Sequence, residues 1–376
     1  MSTMTFSTSH QALVRRGTGL MLEPVPTELP GPGGLLIALD YVGVCGTDLQ
    51  ILNGTRPDTA EILGHEGVGT VAVAGEGTSM RPGDRVVFNP VAQISANRLL
   101  GHNVAGLFQK YLTVDAAGVD SGLVLPAHDC DPPICCALTE PLGAVIYAHE
   151  LIRRAVPQLR TAAVFGAGPV GLLAAQFLEA SGVRVFLVHP SPTRLNTVSS
   201  LKLVDMSALL TVSGDLPERL LSENAGRRVD AALICTTRQG APQALRHALA
   251  VVENGGCIDL ITNFPENGPA PDGLDTDSVR SVRAANVCGL PREGTYRHTD
   301  ISGRRIAITG HRGTSADHLN AAMRELSTRA SSYRKLITHV LSPNTAATAI
   351  AALANSGERT LYGADCVKAV IDLTCV

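Results

Sequence analysis

The feature that most constrains the fold of this chain is a glycine-rich turn between an apolar strand and a helix. Thr161–Phe165 is a short apolar run, the motif G-A-G-P-V-G follows at residues 166–171, and Val170–Ser181 has the apolar spacing of a helix. A second apolar run, Val183–Val188, comes directly after it. Two such strands joined by a helix form a parallel pair, whose sheet needs cover on both faces. The sequence therefore predicts an α/β unit built on a doubly wound parallel sheet.

The same turn predicts a binding site for the pyrophosphate of a dinucleotide. Gly166 permits the tight turn, Gly168 lets the backbone approach a phosphate, and Gly171 allows close packing of the helix. The helix that starts at Pro169 and Val170 supplies free N–H groups from Val170 onward, together with the positive end of the helix dipole. A chance match is easy in a chain with 37 glycines. The position between strand and helix nevertheless favours a ligand site over a turn without one.

The end of the second apolar strand bears on which dinucleotide binds. A carboxylate about 20 residues after the motif would accept hydrogen bonds from the ribose of NAD, but this place holds His189. Without that negative charge, His189, Ser191 and Arg194 could donate hydrogen bonds to a 2′-phosphate. The sequence therefore favours NADP over NAD. The alternative is that Arg194 covers the adenine and His189 serves either cofactor.

The first 150 residues follow a different pattern, of short β-branched runs bounded by glycine and proline. Such runs predict a β-rich, barrel-like unit. We therefore predict one domain at residues 1–150 and the parallel-sheet domain at residues 151–309, followed by a segment at 310–376. The predicted strands of the first domain are Leu35–Val42, Gly69–Val73, Arg85–Asn89 and Tyr111–Val114.

Further elements are predicted in the second half of the chain. Alternation continues through a strand at Ala231–Cys235, a helix at Ala241–Val252 and a strand at Cys257–Ile261, and Arg305–Thr309 could be the last strand of the sheet. Residues 264–304 are polar and proline-rich, and they predict loops and one helix. The final segment predicts a helix near Ala316–Thr328 and a strand near Val367–Leu373.

Composition excludes several classes of protein. The 376 residues exceed what one hydrophobic core usually serves, so two domains are expected. A charged fraction of 17% and a net charge of -3 fit a globular chain and do not indicate a basic surface for binding nucleic acid. The sequence shows no secretory signal and no apolar run of about 18 residues, so we expect a cytoplasmic protein without a membrane partner. Eight cysteines are expected to be mostly reduced and buried, namely Cys130, Cys135, Cys136, Cys235, Cys257, Cys288, Cys366 and Cys375.

Several motifs occur in a fixed order along the chain. They are Y-V-G-V-C-G-T-D-L-Q around Cys45, G-H-E-G-V-G-T-V around His65, G-D-R-V-V at residues 83–87, G-L-F-Q-K-Y-L-T-V at 106–114 and E-P-L-G-A at 140–144. Together with the glycine motif they resemble the zinc-containing medium-chain dehydrogenases over nearly the whole chain. The E-P-L segment resembles the branch with sorbitol, threonine and glucose dehydrogenases. This resemblance implies a GroES-like β-barrel catalytic domain and a Rossmann cofactor domain.

The resemblance also implies a catalytic zinc ion held by Cys45, His65 and Glu140. Glu66 is then expected to bind the zinc through its water or transiently as a ligand, and the alternative is a hydrogen bond to one of the ligands. Thiolate, imidazole and carboxylate are all competent zinc ligands, and three of them leave a fourth position open. The thiolate and one carboxylate neutralise the two positive charges of the ion.

Four more residues receive expected roles. By resemblance, Thr47 contacts the alkoxide oxygen and passes its proton outward, and Asp48 orients a ligand because ligating histidines usually donate their second N–H to a partner. Lys368 lies where relatives place a basic residue that faces the cofactor pyrophosphate, and the alternative is a solvated surface lysine. His102 either lines the substrate cleft or is a loop histidine with its hydrogen bonds satisfied.

The chain departs from the family pattern in two places. Residues 89–106 contain no cysteine, whereas many zinc enzymes of this family bind a structural zinc there through four cysteines. One zinc per subunit is therefore expected, without a structural zinc. Gln50 stands where many relatives have a histidine for the last step of proton release. Because glutamine does not titrate, the proton must leave through the cofactor ribose, water or Glu66.

These residues predict reversible hydride transfer between a secondary alcohol carbon and the nicotinamide. A zinc site with a glutamate and an aromatic content of only 3% favour a polyhydroxylated substrate, such as a sugar, a polyol or a cyclitol. One alternative is a threonine-type or amino-alcohol dehydrogenase, and another is an NADP-binding protein without catalysis. By resemblance we expect a homodimer or homotetramer, with an edge strand near Arg305–Thr309 pairing across a twofold axis.

Overall fold

The computed structural model describes residues 7–127, 130–265, 274, 276–356 and 359–375. It divides into two compact units. The first combines Met1–Glu140 with Ser315–Val376, and the second is Pro141–Thr314. The division therefore falls near the start of a helix at Thr139–Ala155, about ten residues before the predicted boundary.

The chain up to residue 138 forms mainly antiparallel strands, because its β-branched runs alternate with turns at glycine and proline. Of its seven strands, the first two form a separate hairpin. Turns of 3-10 helix lie at Ile94–Ala96 and Pro133–Leu138. The elements are β1 (Ser9–Arg16), β2 (Gly19–Pro26), β3 (Leu35–Gly43), α1 (Gly46–Leu52), β4 (Glu66–Ala74), β5 (Arg85–Phe88), β6 (Tyr111–Val114), α2 (Ala116–Asp120) and β7 (Val124–Pro126).

The second unit alternates strands with helices, as the glycine motif predicts. Its elements are α3 (Thr139–Ala155), β8 (Thr161–Phe165), α4 (Pro169–Ala180), β9 (Arg184–His189), α5 (Pro192–Ser200), β10 (Ala208–Thr211), α6 (Leu216–Glu223), β11 (Val229–Ile234), α7 (Ala241–Val251), β12 (Val252–Leu260), α8 (Thr276–Ala285), β13 (Arg297–Ile301) and β14 (Arg304–Gly310). The sheet has the order β10-β9-β8-β11-β12-β14-β13, parallel except for β13. The strand order reverses between β8 and β11, which is where such sheets bind ligands.

The last part of the chain completes the sheet of the first unit. Its elements are α9 (Ala316–Thr328), α10 (Ala330–Arg334), β15 (Ile337–Leu341), α11 (Pro343–Asn355), β16 (Thr360–Leu361), β17 (Ala364–Asp365) and β18 (Lys368–Asp372). Strand β18 pairs antiparallel with β3 and parallel with β15, giving the order β15-β18-β3-β4-β5-β7 with β6 also beside β3. This pairing supplies the partner of the strand predicted near residue 367.

Each unit buries its own apolar core. In the first unit, Leu39 of β3, Phe88 of β5 and Ile350 of α11 belong to one buried cluster. In the second, Phe186 of β9 and Ile258 of β12 belong to another. Burying a large apolar side chain stabilises the folded state by about 1.5–3 kcal/mol, so such clusters are the main source of stability. Within the described ranges, none of the helices combines the length and apolarity that a bilayer crossing needs.

One prediction made from the sequence is wrong. The segment Arg305–Thr309 lies in β14, but this strand is not an edge strand, because β13 pairs with it on its outer side. Strand β13 reads R-H-T-D-I and is too polar to stand out in a sequence pattern.

The cysteines are mostly reduced, as the sequence predicts, with one exception. Cys130 and Cys136 form a disulfide, with 5.9 Å between their Cα atoms. The turn between the two residues brings them within the range that a disulfide bridges. The other six predicted cysteines are thiols.

Candidate active site

Three potential metal ligands meet beside the β3–β4 pair. Cys45 follows β3 and caps the N-terminus of α1, while His65 immediately precedes β4 and Glu66 begins it. Gly43 at the end of β3 pairs with Glu66, so the strand register brings the three side chains to the same end of the sheet. One donor atom from each residue lies within 4.8 Å of the other two. A thiol, an imidazole and a carboxylate at this spacing fit a zinc ion.

Asp48 holds the two loops that carry the thiol and the imidazole. It is fully buried, and its carboxylate accepts hydrogen bonds from the backbone N–H groups of Cys45 at 2.8 Å and Gly64 at 3.1 Å. His65 Nδ1 lies 3.5 Å from Asp48 Oδ1. Burial alone would raise the pKa of Asp48, but the nearby His65 and these hydrogen bonds lower it below its ordinary value. His65 Nδ1 thus lies beside Asp48, and metal binding through Nε2 stays a prediction.

Glu66 is paired with Lys368, which lies on β18. Both side chains are almost completely buried, and Lys368 Nζ forms an ion pair with Glu66 Oε2 and donates to the Val44 carbonyl at 3.0 Å. Burial opposes the charge on Lys368, yet Glu66 raises the pKa of the ammonium above its ordinary value. A Cβ atom at Gly43 would lie 2.9 Å from Lys368 Cε, so a larger residue there would displace the pair. Lys368 is thus not a surface lysine, and its role at a pyrophosphate stays a prediction.

Glu140 lies near this cluster without joining it. It occupies the first turn of α3, and the group of three donors within 4.8 Å does not include it. Burial, and then the negative charge of Glu66, raise the pKa of Glu140 to about 7. Among the residues that the structure describes, no cationic side chain lies within 4.0 Å of its carboxylate. Glu140 therefore has no ion-pair partner of its own among these residues, and its binding to a metal stays a prediction.

The helix α1 carries the two residues expected to handle the proton. Thr47 lies in its first turn and Gln50 lies one turn later, and both side chains are partly exposed. Thr47 follows Cys45 by two residues, which keeps its hydroxyl on the same short helix as the thiol. Its role in proton transfer stays a prediction.

A second histidine lies beside His65. The ring of His102 is 5.0 Å from that of His65 between centroids, and its Nδ1 is 2.8 Å from Asp58 Oδ1. Asp58 also receives two hydrogen bonds from the Arg56 guanidinium, at 2.8 and 3.1 Å. The sequence singles out His102 but gives no reason to choose Asp58, which is 44 residues away. The polar segment around Arg56, between α1 and the His65 motif, is the sequence feature that could have pointed to Asp58.

Hydrogen bonds and burial shift the pKa values of this pair. Burial lowers the pKa of His102, although its hydrogen bond to Asp58 opposes the shift. Burial alone would raise the pKa of Asp58, but the hydrogen bonds from His102 and Arg56 hold it well below its usual range.

The glycine turn of the second unit has the geometry that the motif predicts. Gly166 follows β8 with φ +118°, and a Cβ atom at Gly171 would lie 1.8 Å from the Gly166 carbonyl oxygen. Gly168 caps α4 at its N-terminus, and a Cβ atom there would meet nothing within 4 Å. Pro169 occupies the first helical turn. The turn therefore presents free backbone N–H groups at a helix start, and close packing accounts for Gly171.

The three residues predicted to select the cofactor lie together after β9. His189 ends the strand, and its Nδ1 accepts a hydrogen bond from the Ser191 N–H at 3.1 Å. Ser191 caps α5 and accepts from the Arg194 N–H at 3.3 Å. Arg194 is largely buried, with 7% of its surface exposed. The end of β9 thus carries His189 in place of a carboxylate, and the preference for NADP stays a prediction.

Comparisons with known proteins agree with this geometry. Residues 31–121 match the family model described as an alcohol dehydrogenase GroES-like domain. The chain is 30% identical over 341 residues to the glucose 1-dehydrogenase of Thermoproteus tenax, covering 82% of this chain and 89% of the relative. It is 28% identical to the L-threonine 3-dehydrogenase of Bacillus velezensis, covering 74% and 83%. A crystal structure of a zinc-binding dehydrogenase of Sinorhizobium meliloti bound to NADP has a TM-score of 0.70 at 21% identity, covering 97% and 100%.

The fold is therefore a GroES-like domain together with a Rossmann parallel-sheet domain. The chain belongs to the zinc-containing medium-chain dehydrogenase family, and it is an enzyme of the alcohol and polyol dehydrogenase class. Metal and nicotinamide cofactor are properties of that family, in accord with the donor cluster at Cys45.

Proposed function

We propose that this enzyme interconverts a secondary alcohol and a ketone on a polyhydroxylated substrate, with one zinc ion per subunit and NADP as the cofactor. When bound, zinc supplies Lewis acidity and the nicotinamide supplies or accepts a hydride. The observation that carries the proposal is the convergence of Cys45, His65 and Glu66 within 4.8 Å. Their chemistry fits an ion that must keep one position open for oxygen.

The chain supplies the remaining functions from its own residues. Asp48 orients His65, and Cys45 and His65 would hold the metal. Glu140 is the candidate for the third ligand, because Glu66 is already neutralised by Lys368. The Thr47 hydroxyl would carry the proton of the substrate hydroxyl away from the site.

Charge favours a polyol over an amino alcohol. The ammonium group of a threonine-like substrate needs a carboxylate partner that is not used elsewhere. Asp58 is already engaged by Arg56 and His102, Glu66 by Lys368, and Asp48 by backbone N–H groups. If Glu140 binds the metal, this set of four carboxylates leaves none free for an ammonium. A neutral polyhydroxylated substrate has no such requirement.

The test is a substrate panel assayed with zinc-loaded enzyme and either NADP⁺ or NAD⁺. The panel contains an aldose, a sugar alcohol, a cyclitol, L-threonine and 2-butanol, and reduction of the cofactor is followed by absorbance. We expect turnover of the polyhydroxylated compounds, a higher kcat/KM with NADP⁺, and loss of activity in Cys45→Ser. Exclusive turnover of L-threonine would instead establish the amino-alcohol alternative, and metal analysis without stoichiometric zinc would overturn the proposal.

A further inference from the structure

The Asp58–His102 pair, with Arg56 and Arg15, forms a polar arrangement beside the candidate metal ligands that the proposed reaction does not use. We propose that His102, held by Asp58, is a specificity-determining residue that forms a hydrogen bond with a second hydroxyl of the substrate. The inference rests on the proposed function and specifies which alcohols the site selects.

The orientation of the His102 ring follows from its partner. The Asp58 carboxylate is paired with the Arg56 guanidinium and is an acceptor only, so Nδ1 of His102, 2.8 Å from Asp58 Oδ1, donates its proton to it. Among the residues that the structure describes, none hydrogen-bonds to the other ring nitrogen, Nε2. His102 therefore offers one ring nitrogen, Nε2, in a fixed direction.

Asp58 is in turn held on both sides. The Arg56 guanidinium binds its carboxylate through Nε and Nη2, and Arg15 Nη1 donates to its backbone carbonyl at 3.0 Å. The carbonyl of His102 accepts a hydrogen bond from the Ala60 N–H at 2.8 Å. Four contacts thus fix the pair, as recognition of a particular hydroxyl requires.

The position of the ring suits a second hydroxyl. His102 lies 5.0 Å from the ring of His65, at an interplanar angle of 34°, so a small molecule held at the His65 site lies within reach of it. The side chain is only 16% exposed, and a polar ring atom this poorly hydrated is left without a partner when the ligand has no second hydroxyl. The pair therefore favours alcohols with more than one hydroxyl.

The test compares two four-carbon secondary alcohols that differ by one hydroxyl, 2,3-butanediol and 2-butanol. His102→Phe keeps a ring and removes its nitrogen atoms, His102→Gln retains a polar amide, and His298→Phe makes the same change at an exposed histidine of β13. We expect His102→Phe to lower the ratio of kcat/KM for the diol to that for 2-butanol by about 10- to 100-fold. His102→Gln should recover part of the ratio, and His298→Phe should leave it unchanged.

Each result has a defined meaning. The inference is overturned if the ratio does not change in His102→Phe. It is also overturned if this variant loses zinc and its kcat/KM falls equally for both substrates. Binding provides a readout that does not depend on turnover: titration of cobalt-substituted enzyme with each alcohol, followed by the visible absorption of the metal. If the wild-type enzyme turns over neither these two alcohols nor the polyhydroxylated compounds of the substrate panel, the proposed function fails, whereas diol binding that depends on His102 still supports this inference. If the affinities for both alcohols are the same in wild type and His102→Phe, the inference fails as well.

Discussion

At the scale of single residues, the two glutamates near Cys45 differ in charge compensation. Glu66 is neutralised by the buried ammonium of Lys368, whereas Glu140 has a pKa raised to about 7 by burial and by the charge of Glu66. We predict that Glu140→Gln lowers the zinc content well below one ion per subunit, because it removes the carboxylate that needs a cation. Glu66→Gln should retain zinc. Metal analysis of the purified variants measures both outcomes.

The same pair predicts a difference in stability. Glu66→Gln leaves Lys368 as an unpaired buried charge, which costs about 3–5 kcal/mol of unfolding free energy. The matched control is the double variant Glu66→Gln with Lys368→Met, which removes both charges and should recover most of the loss. Urea unfolding gives the free energy of unfolding of the wild type, the single variant and the double variant.

The zinc contents also test which glutamate is the third ligand. Loss of zinc in Glu66→Gln and its retention in Glu140→Gln would contradict the assignment of Glu140 and make Glu66 the third ligand.

The sequence predicts the donor residues better than their partners. Cys45 and His65 can be chosen because few residue types bind zinc and their motifs are local. The pair of Glu66 and Lys368 is separated by 302 residues, and only the antiparallel pairing of β18 with β3 brings Lys368 beside this site. Contacts of this kind depend on strand order, which no local pattern encodes.

The predicted preference for NADP depends on one residue, His189 at the end of β9. We predict that His189→Asp shifts the preference from NADP towards NAD by at least about tenfold in the ratio of kcat/KM, because a carboxylate repels a 2′-phosphate and accepts hydrogen bonds from the ribose. Steady-state kinetics with both cofactors measure this ratio, with His298→Asp as a control at an exposed position. An unchanged ratio, or a wild-type preference for NAD, would show that this residue does not read the ribose.

At the scale of elements, the turn between β8 and α4 separates packing from ligand binding. A Cβ atom at Gly171 would lie 1.8 Å from the Gly166 carbonyl oxygen, whereas one at Gly168 meets nothing within 4 Å. We predict that Gly171→Ala lowers the unfolding midpoint, while Gly168→Ala leaves it almost unchanged and weakens NADP binding by at least about tenfold, since a methyl group blocks the approach of the pyrophosphate. Thermal unfolding and fluorescence titration measure the two effects. Tight NADP binding by Gly168→Ala would contradict the predicted phosphate site.

Strand β12 carries a buried carboxylate that makes stability depend on pH. Asp259 is fully buried, and neither carboxylate oxygen has a hydrogen-bond partner among the described residues. Burial raises its pKa from 3.8 to about 7, although the positive charge of Arg283 opposes the shift. Between these two values the unfolded chain releases a proton that the folded chain keeps, so stability falls as the pH rises through this window. Above about pH 7 the loss is complete.

We therefore predict that Asp259→Asn is more stable than the wild type at pH 8 and nearly equal to it at pH 4. Urea unfolding at several pH values measures the difference in unfolding free energy, which should grow between pH 4 and about pH 7 and stay constant above that. Asp205→Asn, at an exposed position, is the control and should follow the wild type. A difference that is the same at every pH would mean that Asp259 acts through packing and not through its proton.

Elements were predictable where their apolar pattern is local. Strands β6 and β8 and helix α9 begin and end at the residues that the sequence indicates. Strand β13 was missed, because its side chains are all at least partly exposed and its stability comes from pairing with β14. An edge strand of this kind has no apolar run of its own, and it also moves the free edge of the sheet from β14 to β13.

At the scale of the whole molecule, the candidate metal ligands and the predicted cofactor-binding residues lie in different units. All the candidate metal ligands lie in Met1–Glu140, and Lys368 in the returning segment belongs to the same unit. The glycine turn and the residues after β9 lie in Pro141–Thr314. The sequence predicted two domains from its change of pattern, but it could not predict a division next to Glu140, because α3 continues across it without a break.

This division predicts where each ligand stabilises the protein. A ligand lowers the frequency of local opening in the elements that hold it. Removal of zinc by a chelator should therefore speed backbone hydrogen exchange at the end of β3, in α1 and at the start of β4, with little change in β8 and α4. Addition of NADP⁺ should slow exchange at residues 166–171 and leave α1 nearly unchanged. Hydrogen exchange with mass spectrometry measures both, and a chelator effect centred on β8 and α4 would contradict the assignment of the metal to the first unit.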